Sequence, residues 1–463
     1  MAQQHLDRLS AVDASFLHQE GDAKHMHIGA IARFAAPAPP YADVLEHIRG
    51  RLHLVPRYRQ KLAVPPGRFG RQRWIDDPRF NLEYHVRHTA LPRPGDDERL
   101  LRLAGRIFSQ RLDRSKPLWE MWMVEGLEDD RWALISKTHH SLVDGVSGVD
   151  LTTMLFDLQP DPPPAEPPGV WVPHPEPSGA ELAAASLTSA ARRTFGLPLR
   201  TAALAAQPSN AVSQARETIG GLAEVVRAGM TSAPDTPLNV EISPHRRIAI
   251  APAELDDFKL VKNRFGGTVN DVVLAVVAGA LRDWLHNRGL RTEGLELKAC
   301  VPVSTRATED DGSLGNRITQ LIAPLPIHLA DPVERLQFVS AAMAGIKESK
   351  QALGAEIIAG AQDFAPPTIL AQSSRMNFST RFYNLLVTNI PGPQLPLYLL
   401  GRELEGMYPV AFLAGDRALA IAIMSYNGRM NFGLIGDYDA MADMDVLVDG
   451  ITHSLKELTR LAA

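Results

Sequence analysis

The stretch His139-His140-Ser141-Leu142-Val143-Asp144-Gly145 decides how this chain is read. Two histidines adjoin, and an aspartate and a glycine close the run. Trp132 to Thr138, just before it, is short, apolar and aromatic at its start, the pattern of a strand. After it, Leu151, Met154, Leu155 and Leu158 stand at i, i+3, i+4 and i+7, the spacing of a helix. The histidines therefore sit where a strand hands over to a loop and a helix, a place that presents side chains into a cleft from rigid supports. A histidine there suits a general base, because its pKa lies near neutrality.

Working outward, the first 159 residues mix strand and helix signals. Met26, Ile28, Ala30, Ala32 and Phe34 alternate as on a half-buried strand. Val44, Leu45, Ile48 and Leu52 follow helical spacing, and so do Leu100, Leu101, Ala104, Ile107 and Phe108. From Pro160 to Pro177 about half the residues are proline, which excludes helix or central strand and reads as an extended surface crossover. From Ala180 to Thr231 the chain is rich in alanine, with Arg192, Arg193, Arg200, Arg216 and Arg227, and reads as helices broken at Pro198 and Pro208. That segment is either a helical excursion on its own domain or an amphipathic element on an anionic lipid surface. In the second half Thr268 and Asp271 form a capping-box variant ahead of a helix with Leu274, Val277, Leu281 and Leu285 along one face. Leu295 to Val303 reads as a strand, and Asn427-Gly428 joins two more in a hairpin. The chain is thus α/β or α+β, divided as 1–159, 160–239 and 240–463.

Composition narrows the function. A chain of 463 residues exceeds one ordinary core and implies two domains. A net charge of -5 without a Lys/Arg cluster of the usual kind argues against a nucleic-acid partner. The single cysteine, Cys300, offers neither an internal disulfide nor a multi-cysteine metal site. The first residues lack an apolar core of signal-peptide type, and the longest apolar run, Val272 to Leu281, is too short to span a membrane. The expectation is a cytoplasmic protein whose membrane contact is peripheral. No glycine-rich nucleotide loop follows a strand, so no nucleotide cofactor is expected.

The pattern HHxxxDG, carried here by His139, His140, Asp144 and Gly145, resembles that of the condensation and chloramphenicol-acetyltransferase superfamily. Further segments agree in order with its bacterial wax ester synthase/acyl-CoA:diacylglycerol acyltransferase branch. They are Leu9 to Leu17, Pro117-Leu118-Trp119, Asn270-Asp271, Pro302 to Arg306, Gly315-Asn316, Asn389 to Pro393, Ser425 to Gly428 and Gly436-Asp437. The resemblance implies two chloramphenicol-acetyltransferase-like domains, each a mixed sheet with helices, and an active tunnel between them. It implies transfer of a long acyl chain from acyl-CoA, a co-substrate rather than a cofactor, to diacylglycerol or a fatty alcohol, at the inner membrane face or a lipid droplet. Two alternatives stay open: a related acyltransferase for a polyketide or glycolipid alcohol, and a catalytically silent lipid-surface protein.

The resemblance makes His140 the general base. His139 points to the other side of an extended chain, which suits an orienting role and counts against shared metal ligation. Asp144 invites a triad reading, but the resemblance implies instead a structural pairing, for which Arg306 is the candidate partner. Gly145 is expected to be glycine for backbone reasons. Asn270, in the first turn of its helix, is a candidate oxyanion donor or merely part of the cap. Trp119 is expected in the core or along the tunnel wall.

Overall fold

The computed structural model describes residues 6–68, 71–142, 154–163, 169–188, 232–305, 317–348 and 382–463. Its strands form two six-stranded mixed sheets and a small two-stranded one. In the first half the elements are α1 (Ala11–Gln19), β1 (His27–Phe34), α2 (Tyr41–Arg51), β2 (Gln60–Ala63), β3 (Arg73–Asp76), α3 (Leu82–His85), β4 (Val86–Ala90), α4 (Asp97–Phe108), β5 (Trp119–Glu125) and β6 (Trp132–His139). The second half contains β7 (Arg246–Glu254), α5 (Leu255–Phe265), α6 (Val269–Asn287), β8 (Leu297–Thr305), β9 (Arg317–Leu325), α7 (Pro332–Glu348) and β10 (Leu385–Pro391). It continues with β11 (Tyr398–Leu399), β12 (Arg402–Val410), β13 (Leu419–Tyr426), β14 (Arg429–Asp437) and α8 (Met444–Ala462).

The first sheet runs β11-β12-β1-β6-β5-β4 and the second β7-β14-β13-β10-β8-β9. This qualifies the sequence division at residue 240. Strands β11 and β12 lie well inside the second half, yet β12 pairs antiparallel with β1, Ile31 opposite Tyr408. The chain crosses back to complete the first sheet, and no local composition marks the crossing. Where β14 passes over β12, a Cβ on Gly433 would lie 1.9 Å from the Pro409 carbonyl oxygen, so only glycine permits the approach. On the other side Arg246, opening β7, donates its N–H to Ser109 Oγ at the end of α4, at 2.8 Å.

Three large apolar clusters follow from this layout. The second half is centred on α6, whose Val272, Val273, Val276, Val277, Leu281, Trp284 and Leu285 are all buried among β8, β9, α7 and α8. Each such side chain contributes roughly 1.5–3 kcal/mol on burial. The outer face of the first sheet packs on α2 through Val44, Leu45, Ile48, Trp132 and Leu134. The third cluster fills the space between the sheets, with Ile31, Ala133 and Ile135 from one and Ile248, Ala420 and Ile435 from the other.

Local expectations mostly describe what forms. Thr268 and Asp271 make a capping box at the start of α6. Asn427 and Gly428, at φ 44° and 81°, turn β13 into β14 as two left-handed residues should. One expectation fails: Leu158 is not on a core helix but 72% exposed. The helix ends at Leu155, because Asp157 bridges backbone to backbone with Tyr398 and pairs with Arg51 at 2.5 Å. Of the proline-rich crossover, residues 169–177 carry no helix or strand and are pinned: His174 donates its N–H to Asp76 at 3.0 Å and Glu176 meets Lys61 at 3.3 Å, while 164–168 lie outside the described residues. Ala180 to Thr188 belongs to a helix, and the rest of the alanine-rich segment, 189–231, lies outside the described residues.

Candidate active site

Strand β6 ends at His139, and the chain then turns through a short 3-10 segment, His140–Leu142. Two backbone bonds fix this exit: His139 N–H to the Leu118 carbonyl at 2.9 Å and His140 N–H to the Met26 carbonyl at 2.8 Å. The first ties the Pro117-Leu118-Trp119 segment to the histidines.

The two rings face different surroundings. His139 is buried, and its Nδ1 accepts the Ser141 backbone N–H at 3.1 Å, with Ser141 Oγ 2.7 Å away. In the neutral ring the proton therefore sits on Nε2, which lies 3.8 Å from Glu20 Oε2. Glu20 caps the C-terminus of α1, with its carboxylate buried. One oxygen lies 3.3 Å from His27 Nε2, and the other accepts from Arg114 Nε at 2.8 Å. Burial alone would raise this carboxyl, but the His27 hydrogen bond and the charges around it bring it down to about 2. Burial pushes His27 down to about 4 and His139 down to about 3. At neutral pH the cluster is thus a carboxylate countered by Arg114, with two neutral histidines held against it.

His140 turns the other way, into the cluster between the sheets. Its ring stacks on Phe16 of α1, centroids 4.0 Å apart and 24° between planes. Phe412, just past β12, meets it edge-on at 5.5 Å and 90°. The ring is half-buried, and burial lowers its pKa to about 4. Its Nδ1 edge is buried, and among the described residues its own backbone carbonyl is what draws a proton there. That favours the tautomer in which Nε2 keeps its lone pair, the form a general base needs. The arrangement is an unprotonated imidazole in an aromatic slot where the two halves meet.

Trp119 is a core residue: its Nε1 donates to the Tyr58 carbonyl at 2.8 Å and its ring stacks on His85 at 4.7 Å. Asn270 is the second residue of α6 and half-buried. Among the described residues no hydrogen bond or ring contact joins it to either histidine. Asp144, Gly145 and Arg306 lie outside the described residues. The sequence reading did not single out Glu20, His27, Arg114 or Phe412 as parts of the site. Phe16 lay in the quoted segment Leu9 to Leu17 without a role. The others come together only through tertiary structure, and no spacing announces them.

Comparisons with known proteins decide the family. Residues 9–273 match the wax ester synthase/diacylglycerol acyltransferase catalytic domain, and residues 314–459 the C-terminal domain of the same family. The chain belongs to this family. A probable diacylglycerol O-acyltransferase (tgs1) of Mycobacterium tuberculosis is 31% identical over 99% of this chain and 96% of its own length. A second from that organism (tgs2) is 33% identical over 98% and 99%. The solved wax ester synthase/diacylglycerol acyltransferase of Marinobacter aquaeolei superposes with a TM-score of 0.68 at 30% identity, covering 98% of this chain and 99% of that one. The starter condensation domain of rhizomide synthetase matches at a TM-score of 0.58 and 13% identity, which shows the shared fold. This wax ester synthase/diacylglycerol acyltransferase family member is therefore an acyltransferase with the condensation-domain fold. Among the described residues no single helix is long and apolar enough to cross a membrane.

Proposed function

We propose that this enzyme transfers a long acyl group from acyl-CoA to the free hydroxyl of diacylglycerol, and also to long-chain fatty alcohols, with His140 as general base. The observation that carries it is the neutral His140 ring, held between Phe16 and Phe412 with Nε2 available. The acceptor O–H gives its proton to Nε2 as the oxygen attacks the thioester carbonyl. The tetrahedral oxyanion collapses, the C–S bond breaks, and the imidazolium returns the proton to the CoA sulfur. No acyl-enzyme is needed. The stacked Phe16 face suits this cycle, because it attracts the transient imidazolium, while burial keeps the resting ring neutral.

His139, Glu20, His27 and Arg114 position the loop rather than touch substrate: the Glu20 carboxylate meets the His139 edge that carries the proton. Asn270 remains our candidate oxyanion donor, with the α6 N-terminus behind it. Asp144 is assigned to a pairing with Arg306 that holds the loop, and Gly145 to its turn. Diacylglycerol is placed ahead of fatty alcohol because the curated relatives carry that name. Substrates this insoluble require the enzyme to work at a lipid surface, the inner membrane face or a lipid droplet.

The test is release of CoA from labelled palmitoyl-CoA by the purified enzyme, with diacylglycerol and hexadecanol at equal concentration. The reading expects acceptor-dependent triacylglycerol and wax ester, triacylglycerol in excess. Wax ester in large excess would reverse the acceptor order. No acceptor-dependent release with either alcohol would overturn the substrate assignment.

A further inference from the structure

The first sheet has two faces, and the alternation along β6 separates them. Ala133 and Ile135 share a cluster with Phe16 and Phe412, while Trp132 and Leu134 share one with α2. At the C-terminal end of α2, across the sheet from His140's aromatic slot, lies a cavity of about 410 Å³. Arg49, His53, Arg59, Phe80, Asn81 and Trp171 line it.

The chemistry of this cavity is unbalanced. The Arg59 guanidinium sits 4.5 Å from the centre of the Trp171 ring, and its Nε is buried without a hydrogen-bond partner. Among the described residues no carboxylate lies within ion-pair distance of it. Asp76 acts on it only from further away, its oxygens being bonded to Gln60 and His174. A half-buried cation without a counter-ion is costly, and a planar guanidinium is shaped to take two oxygens of a phosphate. Arg49, itself ion-paired with Glu46, and His53 add polar groups at the rim, so Arg59 is the cation that a phosphate would meet.

The rim is also apolar in an unusual way. Trp171 is held edge-on by Phe80 at 6.4 Å, and its neighbours Val170 and Val172 are 94% and 75% exposed. Leu54, beside His53, is 48% exposed. The crossover is anchored just beyond, at His174 and Glu176, so these valines are presented by a fixed segment. A tryptophan among exposed aliphatic side chains, next to an arginine with no carboxylate at ion-pair distance among the described residues, is what a lipid–water interface accommodates: rings at headgroup depth, aliphatics among the acyl chains, guanidinium on phosphate.

We infer that this cavity takes the headgroup phosphate of an anionic phospholipid, and that the face around Trp171 is where the enzyme rests on its membrane. The inference deepens the reading of a lipid-surface enzyme made above and rests on it. It leaves the acyl-transfer site free on the other face of the sheet.

Co-sedimentation with vesicles of phosphatidylglycerol and phosphatidylcholine (about 3:7) tests it apart from turnover. The full-length enzyme should partition to these vesicles and much less to phosphatidylcholine alone. Arg59→Gln should weaken binding about fivefold, as expected for one basic residue at an anionic surface. Arg59→Gln combined with Trp171→Ala should weaken it more than tenfold. Val170→Asp, a change to a side chain already in solvent, should weaken it with no change in melting temperature. Turnover of detergent-dispersed substrates should be unchanged in all three. Equal binding by parent and variants would overturn the site while leaving a lipid-surface enzyme intact. No vesicle binding by the parent would overturn both. An Arg59→Gln variant with a raised KM for palmitoyl-CoA and undiminished vesicle binding would assign the cavity to the phosphates of CoA instead, and overturn the inference.

Discussion

The two six-stranded sheets have similar architecture and different interiors. Around α6 the second half is packed mainly by aliphatic and aromatic side chains, with Asp271, Arg335 and Ser454 buried among them. The first sheet buries charge: Lys137 is fully enclosed, 2.5 Å from Glu120, and donates to the carbonyls of Ile107 and Gln110. Two residues further along β6, His139 joins Glu20, His27 and Arg114. Apolar packing holds a shape cheaply, but it does not fix the tautomer of a ring. A buried polar cluster does, at a cost in stability. The comparison teaches that the first half holds the polar histidine cluster, while the second half brings Phe412 against His140 and, in the proposed mechanism, Asn270 at the start of α6.

Changes that should break this contrast can be ranked. His140→Ala should lower turnover by roughly 10²–10⁴-fold, the usual contribution of a positioned base, with little change in melting temperature. Steady-state CoA release and a thermal melt check both parts, and a large loss of stability would show that the ring serves packing. Leu281→Ala, in the apolar half, should do the reverse. It should cost about 2–5 kcal/mol in denaturant unfolding and leave the turnover of folded enzyme near normal. If it abolished catalysis at full folding, the apolar core around α6 would shape the site as well as support it.

Glu20→Gln should sharpen the comparison. It removes a carboxylate from buried surroundings but leaves Arg114 partly in solvent, so the destabilisation should be about 1–2 kcal/mol. Turnover should fall about tenfold through misplacement of the loop, the scale seen when an outer-shell hydrogen bond is lost. A variant with parental kcat would detach Glu20 from the site.

The last test is in pH. His27, His85, His139 and His140 have folded-state pKa values pushed by burial to about 4, 4, 3 and 4. Each contributes stability that is fully present above the unfolded value of about 6.5 and is lost as pH falls through the folded value. Glu20, lowered to about 2, adds a loss below the ordinary carboxylate range. Unfolding free energy measured from pH 8 to 4 should be flat above 7 and decline below 6. Replacing His85, outside the active cluster, should flatten that decline by up to about 1.4 kcal/mol per pH unit. Constant stability from pH 7 to 4 would contradict the burial argument.

Much of this was legible in the sequence, for identifiable reasons. The strand before His139, the capping box at Thr268 and the hairpin at Asn427-Gly428 are local, so short-range periodicity and turn chemistry reveal them. The return of β12 to pair with β1 is a contact between residues far apart in the chain, which no periodicity encodes. The same holds for the site. Adjacent histidines on an extended chain point apart by geometry, but what each one meets depends on α1 and on the segment after β12. Leu158 misled because its spacing continued a helix that the Asp157 bridge had already ended.

The central claim is that His140 is the base and His139 its support. Chemical rescue tests it most directly. His140→Gly leaves a slot between Phe16 and Phe412 shaped for a flat ring. Added imidazole should stack there and restore turnover of the variant in a saturable, concentration-dependent way. His139→Gly, which opens space beside Glu20 and away from the slot, should gain nothing. Rescue of His139→Gly alone, with His140→Gly unresponsive or near-normal without imidazole, would contradict the account.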